Sequence, residues 1–177
     1  MLDTGRGATV YTIGHSNVAA EEVIALLVAN EIAVVVDVRS VPYSQYTPQF
    51  NREMLELTLK QVRISYKYAG ETLGGRPKDP TCYRSDNAPK NRGAYLKQVD
   101  YGAVMERPWY QKGIARLVEI AGVQRTAIMC SEEDPDDCHR HHLIAQTLLQ
   151  QGIPVYHIRH AGAVEEARII HRQLSLL

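Results

Sequence analysis

The chain alternates short, unbroken apolar runs with longer stretches whose apolar residues recur at helical spacing. Five runs stand out: Tyr11 to Ile13, Ile32 to Val36, Ile64 to Tyr68, Arg125 to Met129 and Ile153 to Ile158. The second is continuous and β-branched, the composition of a strand covered on both faces. Val23, Ile24, Leu26 and Leu27 form a helical stripe, with Ser16 or Asn17 as its expected cap and Glu21 and Glu22 on its positive first turn. Leu55, Leu59 and Val62 line a second helix capped by Asn51. Pro108 opens a third, with Tyr110, Ile114, Leu117, Val118 and Ala121 as its buried face. Asp134-Pro135-Asp136-Asp137 supplies a cap, a first-position proline and two acids. It predicts a helix that carries Cys138 in its first turns and runs to Gln151, where Gly152 ends it. Ala163 to Leu174 predicts a closing amphipathic helix. With right-handed crossovers, this alternation gives one three-layer α/β domain over residues 1–177, with a mainly parallel sheet of about five strands and helices on both faces.

One segment departs from the alternation. From Gly70 to Gly93 the chain is polar and broken by Gly74, Gly75, Pro77, Pro80 and Pro89, so it reads as either a substrate lid or a solvated loop. Between Arg76 and Lys97 it carries six basic residues against two acidic ones. Over the whole chain 20 basic residues balance 20 acidic ones, so the overall field favours neither nucleic acid nor acidic partners. The start, Met1 to Val10, lacks the apolar core of a signal peptide, and no run approaches the roughly 20 residues of a membrane helix. Three cysteines are too few and too odd for a disulfide framework. The expectation is a cytoplasmic protein without membrane contact.

Every apolar run ends in chemically capable residues, and parallel strands would bring all of these ends to one sheet edge. The clusters are Gly14-His15-Ser16-Asn17, Asp37-Val38-Arg39-Ser40, Gly70-Glu71 through Arg76, Cys130-Ser131-Glu132-Glu133 and Arg159-His160. Asp37 and Glu132 are the acid–base candidates, Cys130 a nucleophile and His15 a general base. Arg39 and Arg76 suit an anionic group, and Ser40, Glu71, Cys138, His139 and Arg140 complete the expected substrate contacts. The bland alternative is a structural ion-pair network at the same edge. Strand, cysteine, loop and helix follow in the order seen in rhodaneses and cysteine phosphatases. Here, however, Glu132, Glu133, Asp134, Asp136 and Asp137 would repel the anion that such loops cradle. Cys130, Cys138, His139, His142 and His15 include donors for zinc or iron. Their spacing matches no standard finger, and neighbours on a helix such as Cys138 and His139 diverge by about 100°. No cofactor and no tightly bound metal are therefore expected.

Several of these patches carry a resemblance. Thr12 through Asn17, Asp37 through Ser40 with Pro42, Pro48 through Asn51, Leu73 through Arg76, and Cys130 with Cys138-His139-Arg140 together resemble the domain of unknown function 488 family, over about residues 11–160. The resemblance implies one compact α/β domain with these patches as its signature, and it supplies no substrate. The leading functional expectation is an enzyme, a hydrolase or transferase, acting on a small or nucleotide-like molecule. The alternatives are a non-catalytic nucleic-acid or regulatory binding module using the Arg76–Lys97 segment, and a Cys/His metal-binding protein.

Overall fold

The computed structural model describes residues 7–85, 89, 91 and 94–170. Its strands are β1 (Val10–Gly14), β2 (Val34–Asp37), β3 (Ser65–Tyr68), β4 (Thr126–Cys130), β5 (Val155–Ile158) and β6 (Val164–Glu166). They form one sheet in the order β3-β2-β4-β1-β5-β6, parallel throughout except for β6, which pairs antiparallel with β5. The helices are α1 (Ala20–Ala29), α2 (Arg52–Gln61), α3 (Gly70–Leu73), α4 (Tyr95–Gln98), α5 (Tyr101–Met105), α6 (Pro108–Val123) and α7 (Gln146–Gln150).

The side-chain alternation of a strand distributes the core over both faces. Tyr11, Ile13, Val35 and Met129 pack on one side with Val23 and Leu27 of α1 and Leu55 and Leu59 of α2. Val34, Val36 and Ile128 pack on the other with Tyr110, Ile114 and Leu117 of α6, and with Leu143 and Leu148. The expected α/β domain with helices on both faces is thus present, and the Val34–Val36 run occupies a doubly covered strand between β3 and β4. Among the described residues, no helix is long and apolar enough to cross a membrane.

Four local expectations differ. The closing helix does not form over the described residues, because Gly162 (φ 84°) folds the chain back and Val164–Glu166 becomes β6. Arg159 holds this hairpin through Glu165 at 3.0 Å, and residues 171–174 of the expected helix lie outside the described residues. Helix α1 starts later than expected: Ser16 is left-handed (φ 49°), and the Glu22 carboxylate accepts the Ala19 N–H at 3.3 Å. Asn51 precedes α2 but gives its side chain to the Ser44 N–H at 2.7 Å instead. The Gly70–Gly93 segment is not one loop, since it contains α3 and a short turn at Pro80–Cys82, with Tyr83 bridged to Val99. Part of it, Asp86 to Ala88, Lys90, Arg92 and Gly93, lies outside the described residues.

The fifth difference matters most for function. Asp134 caps only a single 3₁₀ turn, Pro135–Asp137, by accepting the Asp136 N–H at 3.0 Å. The chain then opens at Cys138 to extended backbone (φ −136°, ψ 142°) before winding again as a π-helical segment, Arg140–Ala145, that leads into α7. Cys138 is therefore not on the helix that the acids were expected to start.

Candidate active site

The carboxyl ends of β1, β2 and β4 meet because β4 lies between the other two. Gly14 pairs with Cys130, and Asp37 with Met129. The ladder continues beyond the strands: His15 N–H donates to Cys130 O at 3.0 Å, Ser16 N–H to Ser131 O at 2.7 Å and Val38 N–H to Met129 O at 3.0 Å. Gly14 is needed for this approach, since a Cβ there would lie 1.6 Å from the Glu132 carbonyl oxygen. Arg140, fully buried, ties the same loop down. Its guanidinium donates to the carbonyls of Glu132 and Glu133 and, at 3.2 Å, to Thr12 Oγ1.

A cleft of about 360 Å³ opens above this junction. It is lined by Cys130, Cys138 and His139, by Arg76, Tyr95 and Lys97, and by Ser40, Ser131 and Glu132. A second lobe, containing His15, Ser16 and Thr47, shares Arg39, Arg76 and Glu132 with the first.

The sulfur cluster is compact. His139 Nδ1 lies 3.7 Å from Cys130 Sγ and 3.8 Å from Cys138 Sγ, and Cys130 Sγ lies 3.3 Å from Glu132 Oε2. The expected divergence of Cys138 and His139 does not occur, because the backbone between them is not helical. His139 Nε2 faces the Leu73 carbonyl at 3.0 Å, so it carries the proton and leaves Nδ1 toward the sulfurs. Gly75 lies flat against this ring: a Cβ there would be 2.7 Å from the imidazole.

The two thiols divide their protons unequally. Hydrogen bonding to Cys138 and burial push the Cys130 thiol up. Burial opposes ionisation of Cys138 too, but the hydrogen bond from Cys130 and the neighbouring His139 and Arg140 outweigh it and pull that thiol down. Burial works against a charged His139, while the Cys138 sulfur beside it raises its pKa. Glu132 is exposed, yet its carboxyl end turns in against Cys130. Burial of that end and the Cys138 charge raise its pKa.

Asp37 occupies a different position from Glu132. Its carboxylate is fully buried and accepts from Arg39 Nε at 2.9 Å, the second Arg39 guanidinium nitrogen at 2.7 Å and Tyr66 Oη at 2.8 Å. Arg39 also donates to Phe50 O at 2.8 Å and lies 3.2 Å from His15 Nε2. His15 stacks on Phe50 with ring centroids 4.3 Å apart. Burial, and then the Arg39 charge, lower its pKa to about 4, so the ring is neutral. Ser40 shapes the rim by accepting the Arg76 N–H at 3.0 Å, and the Arg76 guanidinium lies 5.0 Å over the Tyr95 ring.

The structure thus brings His15, Arg39, Ser40, Arg76, Cys130, Glu132, Cys138 and His139 to one cleft. Glu71 is exposed on α3 and Arg140 lies behind the loop, so neither lines it. His142 points elsewhere, with Nε2 2.6 Å from Asp136 O. The acidic loop is less forbidding to an anion than its composition implies. Glu133 pairs with Arg159 at 2.9 Å and Asp134 caps its turn, leaving Glu132 and Asp137 as the cleft's carboxylates. Sequence reasoning did not single out Tyr95, Tyr101 and Ser131 as site residues. The basic bias of the Arg76–Lys97 segment was the one signal that pointed toward Lys97.

A family model for the domain of unknown function DUF488 matches residues 19–147, most of the chain. The chain belongs to the DUF488 family. The matched span of this DUF488 domain contains Asp37 through Ser40, Arg76 and the Cys130–Arg140 loop, while His15 falls just before it. Searches of curated proteins and of solved structures found no match.

Proposed function

We propose that this DUF488 domain is an enzyme, a hydrolase or transferase, acting on a small anionic, nucleotide-like molecule held in the cleft at the carboxyl edge of the sheet. The supporting observation is that cationic and reactive side chains together line one space suited to a small molecule. Arg76 and Lys97 line it together with Cys130, Cys138, His139 and Glu132. Arg76, which lies over the Tyr95 ring, and Lys97 bind the anionic group. Glu132 is the acid–base group, because its carboxylate reaches the cleft. Asp37 instead fixes Arg39, which shapes the floor between the two lobes. A concave site with chemical groups at its base fits an enzyme better than a nucleic-acid surface, and the zero net charge of the chain agrees.

A thermal-shift screen of the purified protein with nucleoside mono- and diphosphates and sugar phosphates tests this reading, with hits followed for turnover. Arg76→Ala should weaken a hit at least about tenfold. Glu132→Gln should leave binding within about twofold and slow turnover by roughly 10²–10⁴. No small-molecule hit, together with RNA or DNA binding of steep salt dependence that survives Glu132→Gln, would establish the binding module instead.

A further inference from the structure

We infer that Cys130, Cys138 and His139 are the protein ligands of a single zinc ion whose fourth position opens into the cleft. The three donor atoms, two sulfurs and the imidazole Nδ1, lie within 4.8 Å of one another, and all three residues are buried. Tetrahedral zinc with Zn–S near 2.3 Å and Zn–N near 2.0–2.1 Å puts sulfur and nitrogen roughly 3.6 Å apart. The observed separations, 3.7 and 3.8 Å, need only a small contraction to reach that value.

The surroundings are built for coordination. Donation from His139 Nε2 to the Leu73 carbonyl fixes the tautomer that leaves Nδ1 free, the outer-shell arrangement typical of a metal-bound histidine. The Arg140 backbone N–H lies 3.5 Å from Cys138 Sγ, a donor suited to a ligating thiolate. Gly75 leaves room for the ring in this position, since a Cβ there would lie 2.7 Å from the imidazole. Two sulfurs and one imidazole match the soft-to-borderline preference of zinc, and three protein ligands with an open position are the pattern of catalytic rather than structural sites. On binding, the two thiols release their protons to solvent, and the resulting dithiolate offsets the charge of the dication. Arg76 and Lys97 then remain available for an anionic ligand.

What the ion does rests on the reading of the cleft as an active site, because a molecule at the fourth position would lie beside Glu132. Its presence is tested separately. The full chain, purified by gel filtration without added metal or chelator, is measured by elemental analysis and then reconstituted with cobalt(II). About one zinc per chain is expected, along with thiolate-to-cobalt charge-transfer absorption after exchange. Cys138→Ser and His139→Gln should weaken retention against a competing chelator at least about tenfold, whereas Cys82→Ser, which alters the third cysteine, should keep it. The metal content of the unaltered protein needs no variant, so a folding failure cannot hide the answer. A folded protein with three titratable thiols, no metal and no cobalt absorption would overturn the inference. Stoichiometric iron would overturn the assignment to zinc. One zinc per chain with no ligand or turnover found would sustain the centre and defeat the enzyme reading. Full turnover after chelation would sustain the enzyme and defeat a part for the ion in its reaction.

Discussion

Replacing either member of the Asp37–Arg39 pair should destabilise the fold strongly, and replacing both should cost less than the two losses added together. The pair is almost dry: Asp37 is fully buried and Arg39 is 5% exposed, with their closest contact at 2.7 Å. Asp37→Asn keeps the shape and one acceptor oxygen but leaves the guanidinium without its counter-charge, beside the Phe50 carbonyl and His15. Arg39→Met leaves a buried carboxylate with only Tyr66 and the residue 39 N–H, which already donates to it at 3.1 Å, as donors. Removing one partner of a buried pair costs about 3–5 kcal/mol, because the other charge stays uncompensated. Against a typical total of about 5–15 kcal/mol, each variant should be close to unfolding, with Tm lowered by roughly 6–20 °C. The double variant buries no charge, so the coupling should be about 2 kcal/mol or more. Urea denaturation of the four proteins measures it. Additivity within about 0.5 kcal/mol, or single losses below about 1 kcal/mol, would refute the reasoning.

Acid should destabilise the protein through two buried neutral histidines. Burial and the Arg39 charge lower His15 to about 4, and burial and the Arg140 charge lower His157 to about 3. The unfolded chain then binds protons that the folded chain refuses. Stability is full above about pH 6.5 and falls by up to about 1.4 kcal/mol per group and pH unit toward pH 4. His15→Gln should flatten that slope in urea titrations, and an unchanged slope would contradict the assignment. Gly75→Ala should push the His139 ring out of place, costing about 1–3 kcal/mol and lowering ligand affinity at least about tenfold; a neutral effect on both would show that the ring is not held as described. Arg140→Met should speed amide hydrogen exchange at Ser131, Glu132 and Glu133, since their loop loses the guanidinium that binds its carbonyls; unchanged exchange would place the restraint elsewhere.

How much of this could be read in advance depended on whether a feature was local. The β-branched Val34–Val36 run and the chemically rich strand ends were legible because period and edge position follow from neighbouring residues. The rhythm of runs and stripes also implied a parallel sheet and therefore a common edge. The shape of the Cys130–Arg140 loop was not legible. Asp134-Pro135-Asp136-Asp137 satisfies every local rule for a helix start, but Arg140 bonds across the fold to Glu132, Glu133 and Thr12, and the chain opens at Cys138. Distance in sequence concealed the rest as well. Ser16 abandons its cap to bond Ser131, and Asp37 is withdrawn from the cleft by Arg39 and Tyr66. Val164–Glu166 has too little periodicity to betray an edge strand, and Arg159 and Gly162 decide its fate.

The most direct test of the central claim, that one cleft at the carboxyl edge of the sheet binds the substrate, is amide chemical-shift mapping with the tightest hit from the phosphate-ligand screen. The amides of Ser40, Arg76, Ser131, Glu132 and His139 should shift together along one binding curve, while those of α1 and β6 stay still. Shifts confined to Tyr43–Asn51 or to the α1 face, with the Cys130–His139 loop unmoved, would contradict it.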